Sequence, residues 1–251
     1  MKTMLLKPLV AVAIATLALG CSDDDMSTAQ QTGTFSVENV LQPKDFVQSG
    51  TFKGEGTPPV IFPGQSFTIK FNAGKGQHLA FATMYGASKD WFFAPENPGL
   101  KLYNDDGTAI TGDVSSQIKL WDNGTKNESM VVGQVPGIDA STLVKLNLEY
   151  NSERSEFTLT VMNSSGGTDQ ETPLSPGVWA VSNILGGNLL NDAPFYNAGE
   201  LSNPEITPLA ETGNNEPAAM KAEPAVGPVA APSSPAVTPA ATTITFSTSG
   251  K

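Results

Sequence analysis

Three segments of this chain alternate apolar and polar residues with a period of two: Ser66-Phe67-Thr68-Ile69-Lys70-Phe71-Asn72, Val144-Lys145-Leu146-Asn147-Leu148-Glu149-Tyr150 and Phe157-Thr158-Leu159-Thr160-Val161. That period belongs to a β-strand with one face buried and one face wet, because successive side chains point to opposite sides of the sheet. The last two segments are separated by residues 151–155, a hairpin-length connection, so they are expected to pair as antiparallel neighbours. Further strands are expected near residues 35–41, 79–84, 99–103, 118–121 and 178–182. No stretch keeps a helical period over a dozen residues, and 24 Gly with 19 Pro among 251 residues favour turns over long helices. These features predict an all-β fold, an antiparallel β-sandwich over residues 34–212, which is an ordinary size for a single domain.

The amino terminus reads as an export signal. Met1, Lys2 and Lys7 accompany an apolar run from Leu9 to Leu19 that is too short to span a bilayer, and Leu17-Ala18-Leu19-Gly20-Cys21 closes it. Gly20 before Cys21 resembles a bacterial lipobox, which would make residues 1–20 a lipoprotein signal peptide and Cys21 the lipidated first residue of the mature chain. The other reading, an ordinary signal peptide ahead of an unpaired thiol, leaves the single cysteine without a role, since no disulfide can form within the chain. Several acyl chains on Cys21 would give durable membrane attachment, and the expected location is the bacterial cell envelope, at the outer membrane. Residues 21–33, with Asp23, Asp24 and Asp25 and no hydrophobic periodicity, read as an acidic flexible tether. From 213 to 251 Pro, Ala, Val, Ser and Thr make a low-complexity tail expected to stay disordered, and the strand-like Ile244-Thr245-Phe246 within it has no evident partner. A formal net charge of −11 argues against nucleic acid, because phosphate binding needs clustered Lys and Arg. The same charge suits divalent cations or basic partners, and serves solubility equally well.

Residues able to do chemistry concentrate between His78 and Glu128. Two acidic turns, Ser88-Lys89-Asp90-Trp91-Phe92-Phe93 and Leu120-Trp121-Asp122-Asn123-Gly124-Thr125, each set a carboxylate beside a Trp. The indole can pin a strand end in the core while the carboxylate projects from the turn, so two such turns at one end of a sandwich could share a cation. Calcium takes roughly six to eight oxygen ligands in irregular geometry, which loops can supply. Elsewhere Asn104-Asp105-Asp106-Gly107 is a hairpin-turn sequence without EF-hand spacing, and Asp113 is a peripheral candidate. Trp91, Phe92 and Phe93 read as core more than as an exposed ridge. His78, the only histidine, is expected on the wet face of its strand, opposite Leu79 and Phe81. With no G-x-S-x-G elbow, H-E-x-x-H helix or phosphate loop, recognised motifs assemble no catalytic centre. Asn123, Asn127 and Asn163 head glycosylation-type triplets, which a lipobox upstream makes coincidental.

The text from Leu79 to Thr125, with Phe62-Pro63-Gly64-Gln65-Ser66-Phe67, Leu174-Ser175-Pro176-Gly177-Val178-Trp179 and Leu209-Ala210-Glu211-Thr212-Gly213, is similar to the spondin domain. That domain is the amino-terminal module of F-spondin and mindin and also stands alone in secreted bacterial proteins. The likeness spans roughly residues 35 to 212. It implies a binding or adhesion module, not an enzyme, with an extracellular protein or glycan as the expected ligand, and lipid on Cys21 would anchor that module to the membrane. It further implies that Asp90 and Asp122 line a calcium site. Where the family often reads Asp-Ala-Gly-Thr followed by a second acidic residue, this chain has Asp122-Asn123-Gly124-Thr125-Lys126. Asn127 or Glu128 would then supply the missing oxygen, or the Lys126 ammonium would take the cation's role. Two other readings stay open: a structural envelope lipoprotein without a discrete ligand, and a carbohydrate-active enzyme using Asp90 and Asp122 as a carboxylate pair.

Overall fold

A computed structural model describes residues 31–37, 43–126, 130–224 and 242–248. In chain order its elements are β1 (Gln31–Val37), β2 (Phe46–Phe52), β3 (Ser66–Asn72), β4 (His78–Tyr85), β5 (Trp91–Pro95), β6 (Leu100–Lys101), β7 (Gly112–Asp113), β8 (Ile118–Asp122), β9 (Gly133–Gln134), α1 (Ala140–Leu143), β10 (Val144–Asn151), β11 (Glu156–Asn163), β12 (Leu174–Ser182), β13 (Ile184–Leu185), β14 (Asn188–Leu189), α2 (Thr207–Thr212), α3 (Glu216–Ala222) and β15 (Thr242–Thr248). The chain divides into two units, residues 39–240 and the two chain ends. In the unit made by the ends, β1 and β15 pair antiparallel, with Thr34 opposite Thr245 and Phe35 opposite Ile244. Two expectations change accordingly. The strand expected near 35–41 belongs to this ribbon and not to the sandwich, and Ile244–Phe246 finds its partner there. Residues 31–33, expected as the end of the tether, are strand. The signal peptide and Cys21 lie outside the described residues.

The larger unit is an antiparallel β-sandwich. One sheet has the order β3-β11-β10-β7, and the other β2-β12-β4-β5-β8-β9 with β6 beside β4. The three segments with the cleanest alternation form β3, β10 and β11 of the smaller sheet, and β10 and β11 make the expected hairpin with Asn151 opposite Glu156. Val144, Leu146 and Leu148 are buried while Lys145, Asn147 and Glu149 are exposed, as a sheet with one wet face requires. Between the sheets Ile69, Phe71, Phe81, Phe93, Leu120, Leu146, Phe157 and Leu159 form the main core.

The central strands of the larger sheet, β4, β5 and β12, are buried on both faces. The sheet's outer face, with Ala80, Ala82, Phe92, Trp121 and Ala180, packs against Phe195, Tyr196, Ile206, Leu209, Ala218 and Ala222 from the carboxy-terminal part of the unit. Alanines on the sheet leave room for helices to come close, and α2 lies over β4 and β5 while α3 lies over β2 and β12. The domain therefore does not end at 212, and residues 213–224 are not a disordered tail. Ala218 and Ala222, four apart, give α3 a small apolar stripe that is fully buried, and Asn215 Nδ2 donates to the Gly177 carbonyl at 2.7 Å. A composition of Ala, Glu and Pro hid a helix whose packing face is only methyl groups. No helix among the described residues is long and apolar enough to cross a membrane.

Candidate functional site

The two acidic turns meet because β5 and β8 are neighbours: Trp91 lies opposite Asp122 in their ladder. The turn leading into β5 is tied by Ser88, whose hydroxyl donates to the Tyr85 carbonyl at 2.9 Å and accepts the Trp91 N–H at 2.8 Å. The ladder runs one step further, with Asn123 N–H donating to the Asp90 carbonyl at 3.0 Å. After Asp122 the chain reverses through Gly124 at φ +77°, where a Cβ would stand 2.4 Å from the Val131 carbonyl oxygen, so both conformation and space require glycine. Asp122 Oδ1 accepts the Gly124 N–H at 2.7 Å, and its Oδ2 accepts the Trp91 indole N–H at 3.2 Å. Asp90, 4% exposed, accepts at Oδ2 from the Lys126 N–H at 2.8 Å and the Thr125 hydroxyl at 3.3 Å. Each carboxylate thus holds the first residues of the loop after β8 from one side.

A third segment closes the corner from the side of α2. Asn123 is fully buried; its Oδ1 accepts from the Ser202 hydroxyl, and its Nδ2 donates to Thr125 Oγ1 at 3.3 Å and Thr207 Oγ1 at 3.4 Å. Ser202 and Thr207 share a further hydrogen bond of 2.7 Å. Beyond them the Lys126 ammonium pairs with Glu211 Oε2 at 3.0 Å. A hydrogen bond from Thr125 and then one from Lys126 hold the Glu211 carboxyl below its ordinary value, against a smaller opposing effect of burial. Glu211 thus joins the Leu209–Gly213 motif to Lys126, next after the second acidic turn, across 85 positions of sequence, and two residues on, Gly213 packs on Ser175 where a Cβ would come within 2.8 Å.

The turns that carry Asp90 and Asp122 are neighbours, with Trp91 opposite Asp122, and their carboxylates take different partners: the Trp91 indole and Gly124 N–H for Asp122, the Thr125 hydroxyl and Lys126 N–H for Asp90. Of the two alternatives for Lys126, its ammonium in the cation's role is not what the described contacts give: its backbone N–H serves Asp90 and its ammonium serves Glu211. Asn127 and Glu128 lie outside the described residues. Asp113 belongs to the smaller sheet, where its Oδ1 accepts the Ser115 N–H at 2.8 Å, so it is not part of this corner. His78 is half-buried instead of wet, and Nδ1 is enclosed without a hydrogen-bond partner among the described residues. Burial lowers its pKa, a hydrogen bond involving the Gly76 backbone opposes this, and Lys101 across the ladder adds to the lowering. Asn123 and Asn163 are both fully buried and cannot accept a glycan. Ser202 and Thr207 were missed, for a hydroxyl that satisfies a buried amide carries no pattern; Glu211 had a signal in Leu209-Ala210-Glu211.

As a metal shell the described residues fall short. Asp122 stands opposite Trp91 and Asp90 is the residue before it, so the two carboxylates are held by separate donors, and the oxygens described above already accept N–H and O–H groups. Among the described residues no three His, Cys, Asp or Glu side chains gather around one point. Calcium's roughly six to eight oxygens are not assembled by this set of described residues. No protein-family model matches the chain, and no curated protein or solved structure matches it.

Proposed function

We propose that this chain is a non-catalytic binding module of the spondin type, held at the bacterial envelope through lipid on Cys21, with the Asp90–Asp122 corner as its preassembled ligand-facing end. What supports this reading is one observation: the acidic turns, residues 123–126 and the segment around α2 are cross-linked by side-chain hydrogen bonds and an ion pair at one end of the larger sheet. Rigid loops at the end of a sandwich suit recognition, because little conformational freedom is lost on binding. Asp90 is buried and engaged as a hydrogen-bond acceptor, which suits a positioning role better than proton transfer to a substrate.

The test uses soluble Cys21→Ser protein against immobilised glycans and basic extracellular proteins, with calcium or with chelator. A saturable response that falls when exposed Thr125 is changed to Lys supports the reading. No saturable response to any surface points to a structural envelope protein, and release of sugar from a glycan points to a carboxylate-pair enzyme. Membrane fractionation of the unsubstituted chain and the Cys21→Ser variant tests the anchor separately: equal distribution of the two would remove it from the account.

A further inference from the structure

The margin of the larger sheet farthest in strand order from β8 carries a feature that the corner does not use. β2 is the terminal strand there; β12 takes one of its edges, and among the described residues no strand pairs with the other. On the inner side β3 closes against it, with the Phe52 and Phe67 rings stacked at 3.9 Å and Asn72 N–H donating to Gln48 Oε1 at 3.0 Å. On the outer side the Ser49–Thr51 stretch and α3 bound an open groove of about 410 Å³. Its second wall is Glu216, Ala219 and Met220, positions i, i+3 and i+4 on one side of α3, continued by the cap residue Glu223. Ala218 and Ala222 point into the sheet instead, so α3 is seated by one stripe and offers another to the groove. Met220 is 65% exposed. The lining holds two carboxylates and no cation.

We propose that this groove receives an extended, basic segment of a partner protein as an added strand on β2. A free strand edge offers main-chain N–H and C=O groups at the spacing an extended peptide needs, and a helix beside that edge gives the peptide's side chains a wall. Ala219 and Met220 fit small apolar side chains. Glu216 opens α3 and Glu223 caps its end seven positions on, about 10.5 Å along the axis. An extended chain covers that length in about three residues, so Lys or Arg near both ends of a short apolar stretch meets both carboxylates. The proposal rests on the observations at this margin and is independent of what the Asp90 corner binds.

The experiment titrates soluble full-length Cys21→Ser protein with a labelled peptide alternating Lys with Val and Thr. Its glutamate counterpart and the Lys peptide N-methylated at alternate amides serve as comparisons. Fluorescence anisotropy reads affinity and hydrogen exchange reads the edge. The expected result is saturable binding of the Lys peptide with slowed exchange at Ser49–Thr51. The glutamate peptide and the Glu216→Lys, Glu223→Lys double variant should bind at least about tenfold more weakly, and the N-methylated peptide should lose binding. Circular dichroism checks that the variant is folded, and Met220→Ala, a milder change on the same wall, should weaken binding without altering the spectrum. Absence of saturable Lys-peptide binding, equal binding of Lys and Glu peptides, or slowed exchange elsewhere than β2 overturns the proposal. So does a dimer in sedimentation equilibrium that the double variant dissolves, which would make a second copy of the chain the occupant. Failure here with success at the Asp90 corner removes the groove and leaves the proposed function standing.

Discussion

In the smaller sheet Lys145, Asn147 and Glu149 face water while Val144, Leu146 and Leu148 face the core; in the larger sheet Ala80 and Ala82 are as buried as Leu79 and Phe81. The difference has one cause. Among the described residues the smaller sheet is packed on one face, whereas the larger sheet has a second hydrophobic layer laid over its outer face by Phe195, Tyr196, Ile206, α2 and α3. A strand end covered on both sides is harder to displace, and the larger sheet is the one that carries the corner at Asp90 and Asp122.

The largest expected effect contrasts the outer faces. Phe92 is fully buried on the outer side of the larger sheet, its ring 5.3 Å from that of Tyr196, so Phe92→Ala should cost about 3 to 5 kcal/mol in urea unfolding. Asn147→Ala, on the outer side of the smaller sheet, should stay within about 0.5 kcal/mol. Comparable costs would break the contrast. Next is the covering layer itself: a chain ending at Thr212 should be about 2 to 3 kcal/mol less stable than one ending at Pro224, since it loses buried Ala218 and Ala222 and the Asn215 hydrogen bond to Gly177. Equal stability would mean that α3 contributes no cover.

How much of this was legible depended on which sheet a residue entered. β10 and β11 followed from alternation because one of their faces is wet. β5 read as an aromatic cluster, since Trp91-Phe92-Phe93 is continuous where both faces are covered. β2 went unseen for a local reason: the register shifts between Val181 and Ser182 along its partner, and Gly50 replaces an inward side chain to make room for the Trp179 indole. At the corner Asp90 and Asp122 were legible through their Trp neighbours, while Ser202 and Thr207 depend on tertiary placement alone. The helix after 212 was masked by a composition that resembles a linker.

Smaller effects probe the corner. Asp90→Ala strips the acceptor from the Lys126 N–H and the Thr125 hydroxyl, and should cost about 1 to 2 kcal/mol with faster amide exchange at Lys126. Unchanged exchange would show that Asp90 does not hold the loop. For Glu211 the sign follows from its lowered pKa: the folded state favours the carboxylate, so its contribution is complete above the ordinary value of 4.5 and is lost as pH falls through the lowered one. The stability gap between the unsubstituted chain and Glu211→Gln, read from urea midpoints, should therefore be constant near neutrality and close in acid. A gap that persists undiminished at low pH would assign the effect to something other than the charge.

The smallest expected effect is none, and it bears most directly on the claim that the corner is held by the protein's own donors. Gly124 N–H, the Trp91 indole, Lys126 N–H and the Thr125 hydroxyl already serve Asp122 and Asp90. Thermal melting of the full chain in calcium and in chelator should then give the same Tm, for the unsubstituted chain and for Asp122→Asn alike. A calcium-dependent rise in Tm that disappears in Asp122→Asn would contradict the account and make the two carboxylates a cation site.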